Sequence, residues 1–237
     1  NDYDQGALRA DYDHLSLSRN PFLEKNLELL LDALAVDTVR LVGLSGGGPY
    51  VLAAGAALGE RVQGIAVLGG VAPVLGPDAA AGGVIQLAKW LSPLLRAGRV
   101  PLGVALTQLI RLARPVAGPG LDLYAAVQPP GDKNLLGRPE FKAMFLDDLL
   151  NGSRFQTSAP IHDLILFTRE WGFALADVRV PVRWWHGDDD HIVPFHHGAH
   201  VVDRLPDAAM TVTDGESHLG GLGIAEEVLS TVMSLGS

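Results

Sequence analysis

Ser45 lies in a glycine-rich stretch, Gly43-Leu44-Ser45-Gly46-Gly47, directly after an apolar run. This matches the pattern G-x-S-x-G, in which a serine occupies a sharp turn between a strand and a helix. Such a serine adopts a strained backbone, and side chains two residues to either side would collide, which would explain both outer glycines. The turn also places the N–H of Gly46 at the start of a helix, where it can stabilise an oxyanion. The stretch therefore predicts a nucleophilic serine.

A glycine-rich loop after a strand can alternatively bind phosphate. Gly43 and Gly48 have the spacing of the pattern G-x-x-x-x-G-K-[S/T]. However, Pro49 and Tyr50 stand where that pattern has Lys and Ser or Thr. The loop also lacks G-x-G-x-x-G, so the residues favour the nucleophile.

A serine hydroxyl needs a general base, and the base needs a carboxylate that orients it. Two downstream segments offer these groups, WWHGDDDHIVP and DGESHLGG, and each follows a predicted strand. The chain order Ser, Asp, His is the order that one fold uses. His218 follows the final predicted strand and precedes a short glycine turn. The other candidate histidines crowd the acid segment: His186, His191, His196, His197 and His200.

The three segments GLSGGG, GDDDHIVP and GESHLG together resemble the nucleophile elbow, acid and base motifs of the α/β-hydrolase superfamily, in its esterase-like branch with a helical cap. The resemblance covers the chain from about residue 20 to the C-terminus. It implies a catalytic triad with Ser45 as nucleophile, His218 as general base and Asp190 as the acid, and Gly46 as an oxyanion-hole donor.

The family's acid motif, Gly-x-x-Asp-x-x-Val-Pro, selects Asp190 over the two aspartates before it, because Gly187 and Val193-Pro194 fix its register. Some members of the family carry the acid after the strand that ends near Gly70. The first carboxylate after that point is Asp78, which is the alternative acid.

A serine nucleophile implies acyl transfer, with water as the usual acceptor. The predicted enzyme is a carboxylesterase-like serine hydrolase that cleaves an ester of a small or medium apolar substrate through an acyl-enzyme. The same triad could serve a hydrolase of carbon–carbon bonds, thioesters or amides, and a non-catalytic ligand-binding member of the fold is the alternative from another class. His196 and His200 could hold a metal ion, but catalysis has no use for one, so no metal or cofactor is expected.

The sequence predicts an α/β-hydrolase core with a mostly parallel sheet, because strands alternate with helices. Core segments at 1–72 and 179–237 flank a helical cap at 73–178. In the cap, Gly and Pro separate helical stretches at 84–98, 102–115, 139–150 and 161–173. The predicted strands are 38–43, 62–68, 181–186 and 210–213, and the predicted core helices are 46–58 and 196–205. In a C-terminal helix, Ala225, Val228, Leu229 and Val232 are expected to form one face.

The N-terminal region contains fewer elements than the resemblance implies. Residues 1–19 are polar and aperiodic, which suggests a loop, and Asn20-Pro21 resembles a helix start that leads to about Ala35. Four strands are predicted where the family usually has eight, and no His-Gly-type loop precedes Ser45 to supply a second oxyanion donor. We therefore expect that the N-terminal strands are missing from this chain and that the absent segment is a partner of the core.

Aromatic and methionine side chains in the cap could line an apolar pocket, although such residues more often form a core. No substrate-binding residue is assigned among them. They are Trp90, Phe141, Met144, Phe145, Phe155, Phe167, Trp171 and Phe173.

The composition excludes several classes of binding partner and structural feature. The 237 residues carry a formal net charge of −9 with no evident basic cluster, so nucleic acid is not expected. The chain has no cysteine, which excludes disulfides and thiolate metal sites. The N-terminus lacks signal-peptide features, and glycines and a proline interrupt the uncharged run at 41–58, so no membrane span is predicted. We expect a cytoplasmic protein that acts on a small-molecule acyl substrate; the oligomeric state is open.

Overall fold

The computed structural model describes residues 21–152 and 158–236, and within them four parallel strands form one sheet. The strands pair in the order β1-β2-β3-β4, so each connection crosses over through helices, as parallel pairing requires. The strands are β1 Val39–Leu44, β2 Val62–Leu68, β3 Val182–Gly187 and β4 Ala208–Thr213. The predicted α/β class and parallel sheet are confirmed.

Helices flank the sheet and form a helical insertion between β2 and β3. Those of the described residues are α1 Pro21–Ala33, α2 Gly47–Ala57, α3 Gly83–Ala113, α4 Ala117–Ala126, α5 Pro130–Leu136, α6 Pro139–Gly152, α7 Ser158–Phe167, α8 Phe195–Val202, α9 Gly220–Gly223 and α10 Ala225–Met233. None of them is long and apolar enough to cross a bilayer.

The two central strands are buried on both faces. In β2, Ile65 and Val67 face a large core beneath α2 and the insertion, whereas Ala66 and Leu68 face a smaller core against α10. This two-residue alternation is the side-chain period of a strand, and apolar residues on both faces are typical of a parallel sheet. Among the described strands β1 is at an edge, and its Val42 side chain is 43% exposed.

The insertion differs from the prediction in the length of two helices. Helix α3 runs unbroken through Pro93 and Pro101, where two shorter helices were expected. A proline removes one backbone hydrogen bond, but extensive packing of α3 on α7 compensates for that loss. Helix α7 ends at Phe167, although helical periodicity extends to Phe173.

The terminal helices also correct details of the prediction. Helix α1 ends at Ala33, because Ala35 adopts a left-handed φ of 52°. On α10, Val228 and Val232 are buried as expected, but Leu229 is 55% exposed and Ala225 is also exposed. The predicted loop at 1–19 and the Asn20 cap lie outside the described residues.

Candidate active site

Ser45 occupies the turn between β1 and α2 in a left-handed conformation with φ of 54°. Among the described non-glycine residues only Ala35 shares a positive φ, and such a backbone costs on the order of 1–3 kcal/mol. The turn is held because the Ser45 N–H donates to the Leu68 carbonyl at the end of β2, over 2.8 Å. A side chain cannot replace Gly43, since its Cβ would lie 2.7 Å from both the Gly47 oxygen and Val51.

The other outer glycine has a different environment. The sequence predicts that a side chain at Gly47 would collide with the turn, but an added Cβ there meets no atom within 4 Å. That prediction is wrong, because Gly47 begins α2 and its Cβ position points into open space. Of the two outer glycines, only Gly43, on the strand side, is therefore required by steric crowding.

Gly46 caps the N-terminus of α2, and its surroundings leave little room for a larger residue. An added Cβ would lie 3.0 Å from the ring of Phe167 at the end of α7. The first N–H groups of a helix have no partner within it and carry partial positive charge. Gly46 therefore presents a backbone N–H donor next to Ser45 and close to the ring of Phe167.

Asp190 and His218 form a buried pair on the loops that follow β3 and β4. His218 Nδ1 lies 2.8 Å from Asp190 Oδ2. The second oxygen, Oδ1, accepts the backbone N–H groups of Ile192 and Val193, both over 2.8 Å. Because an ionised carboxylate only accepts hydrogen bonds, Nδ1 of His218 carries the proton and Nε2 of the neutral ring keeps its lone pair.

A second histidine, His186, also contacts Asp190. Its Nδ1 accepts the indole N–H of Trp184 over 3.1 Å, so the proton of the ring is on Nε2. This Nε2 donates to the Val193 carbonyl over 2.8 Å and lies 3.4 Å from Asp190 Oδ2. Burial alone raises the pKa of Asp190, but hydrogen bonds from His186 and His218 outweigh it and hold that pKa well below its usual range. Asp190 is therefore an ionised acceptor.

The backbone of β2 brings Ser45 to the same edge of the sheet as this pair. Ser45 is bonded to Leu68, and the next residue, Gly69, packs against both partners. An added Cβ at Gly69 would lie 3.3 Å from His218 Nδ1 and 3.4 Å from Asp190 Oδ2. The three residues named from the sequence therefore lie at the same edge of the sheet, at the carboxyl ends of β1, β3 and β4.

A cavity of about 150 Å³ opens beside Ser45, and its walls are almost entirely apolar. Gly46 and Val71 contribute from the core, Ile85, Leu164 and Phe167 from the insertion, and Ile192, Val193, Pro194 and His197 from the region after β3. Of these residues, the sequence considered only Phe167 as a possible lining, because the residues of the cavity come from several separate segments. The apolar run IVP after Asp190 was the available signal.

Of the eight cap side chains considered from the sequence, Phe167 alone among the described ones lines this cavity. Trp171 and Phe141 are buried in two different cores, and Phe145 and Phe173 pack against those cores. Trp90 and Met144 are exposed, and Phe155 lies outside the described residues.

The remaining acids and histidines have structural contacts of their own. Asp78, the alternative acid, accepts the Leu175 N–H within the insertion. Three histidines of α8 contact carbonyls of the loop at 78–82: His196 at Ala81, His197 at Gly82 and His200 at Asp78. These bonds fasten the start of the insertion to the core and explain the histidine cluster. The described residues contain no group of three or more His, Asp and Glu arranged to hold a metal ion.

Asp132, in α5 of the insertion, reaches the loop that carries His218. Its fully buried carboxylate accepts the Leu219 N–H over 3.0 Å. Leu219 in turn packs among apolar side chains of α4, α5 and α6. Burial raises the pKa of Asp132, and the Leu219 N–H opposes this only in part. No sequence motif marks Asp132, because its partner lies 87 positions away.

Several solved structures share this architecture. The esterase RhEst1 from Rhodococcus sp. ECU1013 is 23% identical, with a TM-score of 0.60 over 95% of this chain and 74% of that one. An α/β hydrolase fold protein from Nakamurella multipartita is 17% identical, with a TM-score of 0.61 over 87% and 73%. An esterase from Exiguobacterium antarcticum is 16% identical, with a TM-score of 0.59 over 88% and 72%. No protein-family model and no curated protein matches the sequence. The chain has the α/β-hydrolase fold.

Proposed function

We propose that this protein is a serine hydrolase that cleaves carboxylic esters of small or medium apolar acyl groups. One observation carries the proposal: Ser45, strained on its turn, is bonded to the Leu68 carbonyl, and the next residue, Gly69, packs against the hydrogen-bonded His218–Asp190 pair. A strained serine at the same sheet edge as an oriented imidazole supports acyl transfer as the reaction. The esterase names of the fold neighbours agree with this chemistry.

The proposed cycle assigns one role to each group. His218 Nε2 takes the Ser45 proton as the Ser45 oxygen attacks the ester carbonyl. Asp190 holds the ring through Nδ1 and stabilises the imidazolium that forms, without taking a proton itself. The Gly46 N–H donates to the developing oxyanion. His218 then protonates the leaving alcohol, and water activated by the same nitrogen releases the acid.

The lining and the volume of the cavity limit the acyl group that the protein could accept. Its apolar walls suit a hydrocarbon acyl chain, and at about 150 Å³ it has room for a short or medium one. Amides, thioesters and vinylogous diketones are the alternatives for the same triad, and a panel with one acyl group and different leaving groups separates them.

A fluorophosphonate probe tests the nucleophile directly. We expect a single adduct, mapped to Ser45 by peptide mass spectrometry, that is lost in Ser45→Ala and strongly slowed in His218→Ala. Ser217→Ala is the matched control, because Ser217 is a second serine near the site: it is buried and directly precedes His218. A folded native protein that the probe leaves unlabelled would support a ligand-binding role instead of an enzyme.

A further inference from the structure

Helix α3 presents a nearly continuous apolar face to solvent along its 31 residues, which span roughly 46 Å. Seven exposed side chains among the described residues follow the helical pattern i, i+3, i+4, i+7 or its continuation, so they lie on one face of the helix. They are Leu87, Trp90, Leu91, Leu94, Leu102, Leu109 and Leu112. We call this set the α3 face.

The α3 face is separate from the side of the helix that packs on the protein. Ile85 and Ala88 are buried in the core, and Thr107 is 3% exposed. On the other side, Trp90 is 77% and Leu112 is 79% exposed. Contiguous apolar surface of this extent marks an interaction site, since scattered single residues would be ordinary.

The segment that contains α3 carries charges of one sign only. The chain as a whole has a net charge of −9, yet residues 79–121 contain no Asp or Glu. The same segment contains five basic residues, Lys89, Arg96, Arg99, Arg111 and Arg114. Lys89 bonds the Val74 carbonyl and Arg99 bonds His162, whereas Arg96, Arg111 and Arg114 are exposed. A helix with tryptophan and leucine on one face and arginine on the rest of its surface has the composition of helices that lie on anionic bilayers.

We propose that the α3 face docks on an anionic phospholipid surface. The apolar side chains enter the boundary between headgroups and acyl chains, and the basic side chains contact lipid phosphates. A second copy of the chain fits less well, because pairing two α3 faces brings together basic residues and no carboxylate of that segment. Ile85, in the first turn of α3, also lines the cavity that contains Ser45. The proposal does not depend on the hydrolase activity.

Tryptophan fluorescence of the native chain gives a direct test. Trp90 is exposed, whereas Trp171, Trp184 and Trp185 are at most 3% exposed. With vesicles of equal parts phosphatidylcholine and phosphatidylglycerol at low salt, we expect a blue shift and loss of acrylamide quenching, both absent in Trp90→Phe. Vesicles of pure phosphatidylcholine should bind the protein much more weakly. Added salt should remove the part of the affinity that depends on the anionic lipid.

Vesicle flotation with variants locates the contact. Leu94→Glu and Leu109→Glu should each reduce the bound fraction at least tenfold, and Arg96→Gln should reduce affinity for anionic vesicles by about fivefold, as expected for one basic residue near the surface. Leu229→Glu is the matched control, because Leu229 is 55% exposed on α10, and it should bind like the native chain.

Three results would overturn the proposal. One is a native chain that stays unbound with anionic vesicles at low salt. Another is equal loss of binding in Leu229→Glu and Leu94→Glu. The third is a dimer in sedimentation whose Trp90 is already shielded from acrylamide without lipid and becomes accessible in a monomeric Leu109→Glu variant, since that assigns the α3 face to a second copy.

Discussion

Oδ1 of Asp132 lies 3.0 Å from the backbone nitrogen of Leu219, the residue directly after His218. The insertion therefore holds the histidine loop through a buried hydrogen bond. Glu216 packs against Gly131 beside the same bond, and Leu219 lies in the apolar core of α4 to α6. The position of the proposed base thus depends on the insertion as well as on β4.

Removing this acceptor should loosen the histidine loop. We expect Asp132→Ala to lower the free energy of unfolding by about 1–3 kcal/mol, because a buried N–H loses its partner. The kcat for an ester substrate should fall by a larger factor than KM changes, since the loop carries the base and not the acyl pocket. Asp132→Asn keeps an accepting oxygen and should retain most of the native kcat. The control is Asp122→Ala, which removes an exposed ion pair with Lys142 and should change little; equal effects of the two alanine variants would contradict the prediction.

The charge of Asp132 should appear in the pH dependence of stability. Its folded pKa is raised by burial, so the folded protein holds this proton more tightly than the unfolded chain does. The contribution of Asp132 to stability therefore falls as pH rises from about 4 through the raised pKa. The D132N variant should not show this loss of stability with rising pH. The unfolding free energy of D132N minus that of the native chain, from denaturant titrations, should increase between pH 4 and pH 7, and a decrease would contradict the burial argument.

Asp190 should show the opposite pH dependence. Hydrogen bonds from His186 and His218 overcome the effect of burial and lower its folded pKa, so its contribution to stability is present above about pH 4 and disappears as pH falls through the lowered value. D190N should be least stable relative to the native chain near pH 7, and the gap should narrow in acid. Its kcat/KM should fall by about 10³ to 10⁴, since the imidazole loses its orienting acceptor. D189N is the control, because Asp189 is half exposed and pairs with His191 at the surface.

The sequence allowed prediction of the parts of the site that depend on local geometry. Gly43 precedes the serine because the turn has no room for a Cβ, and the segment after β3 closes on Asp190 through the N–H groups of Ile192 and Val193. Both features are short-range, so they appear as motifs. Asp132 and the cavity walls arise from segments far apart in the chain, which no spacing reveals.

The fold prediction had a similar limit. The positions of β1, β2 and β3 were predictable to within one residue, because each is a compact apolar run bounded by polar or glycine residues. The half-exposed β4 begins at Ala208, two residues before the predicted start. The unbroken path of α3 through Pro101 was not predictable, because the packing of α3 on α7 outweighs the local preference of proline. The exposure of Leu229 was also not predictable, since amphipathic spacing cannot show where a neighbouring helix or strand ends.

The two outer glycines of the serine turn should respond differently to alanine. Gly43→Ala places a Cβ 2.7 Å from the Gly47 oxygen and Val51, so the turn must shift. We expect a loss of about 2–4 kcal/mol in the free energy of unfolding, as for an overpacked site or worse, and at least a tenfold slower fluorophosphonate reaction at Ser45. Gly47→Ala meets open space at the start of α2 and should be neutral or stabilising by up to about 1 kcal/mol. Similar destabilisation of both variants would show that the crowding is not confined to the strand side.

Phe167 should set the length of acyl chain that the cavity accepts. Its ring lies over Gly46, packs edge-on against Tyr50 with centroids 5.8 Å apart, and walls the cavity beside Ser45. Phe167→Leu enlarges the cavity beside Gly46, so kcat/KM for longer nitrophenyl esters should rise relative to that for the acetate ester. The gain should reach about fourfold in kcat/KM for each methylene that becomes buried, because burying one is worth about 0.8 kcal/mol. Phe141→Leu makes the same exchange in the separate core of α4 to α6 and should lower stability without moving the chain-length optimum. If both variants leave the optimum unchanged, the cavity beside Ser45 is not the acyl site.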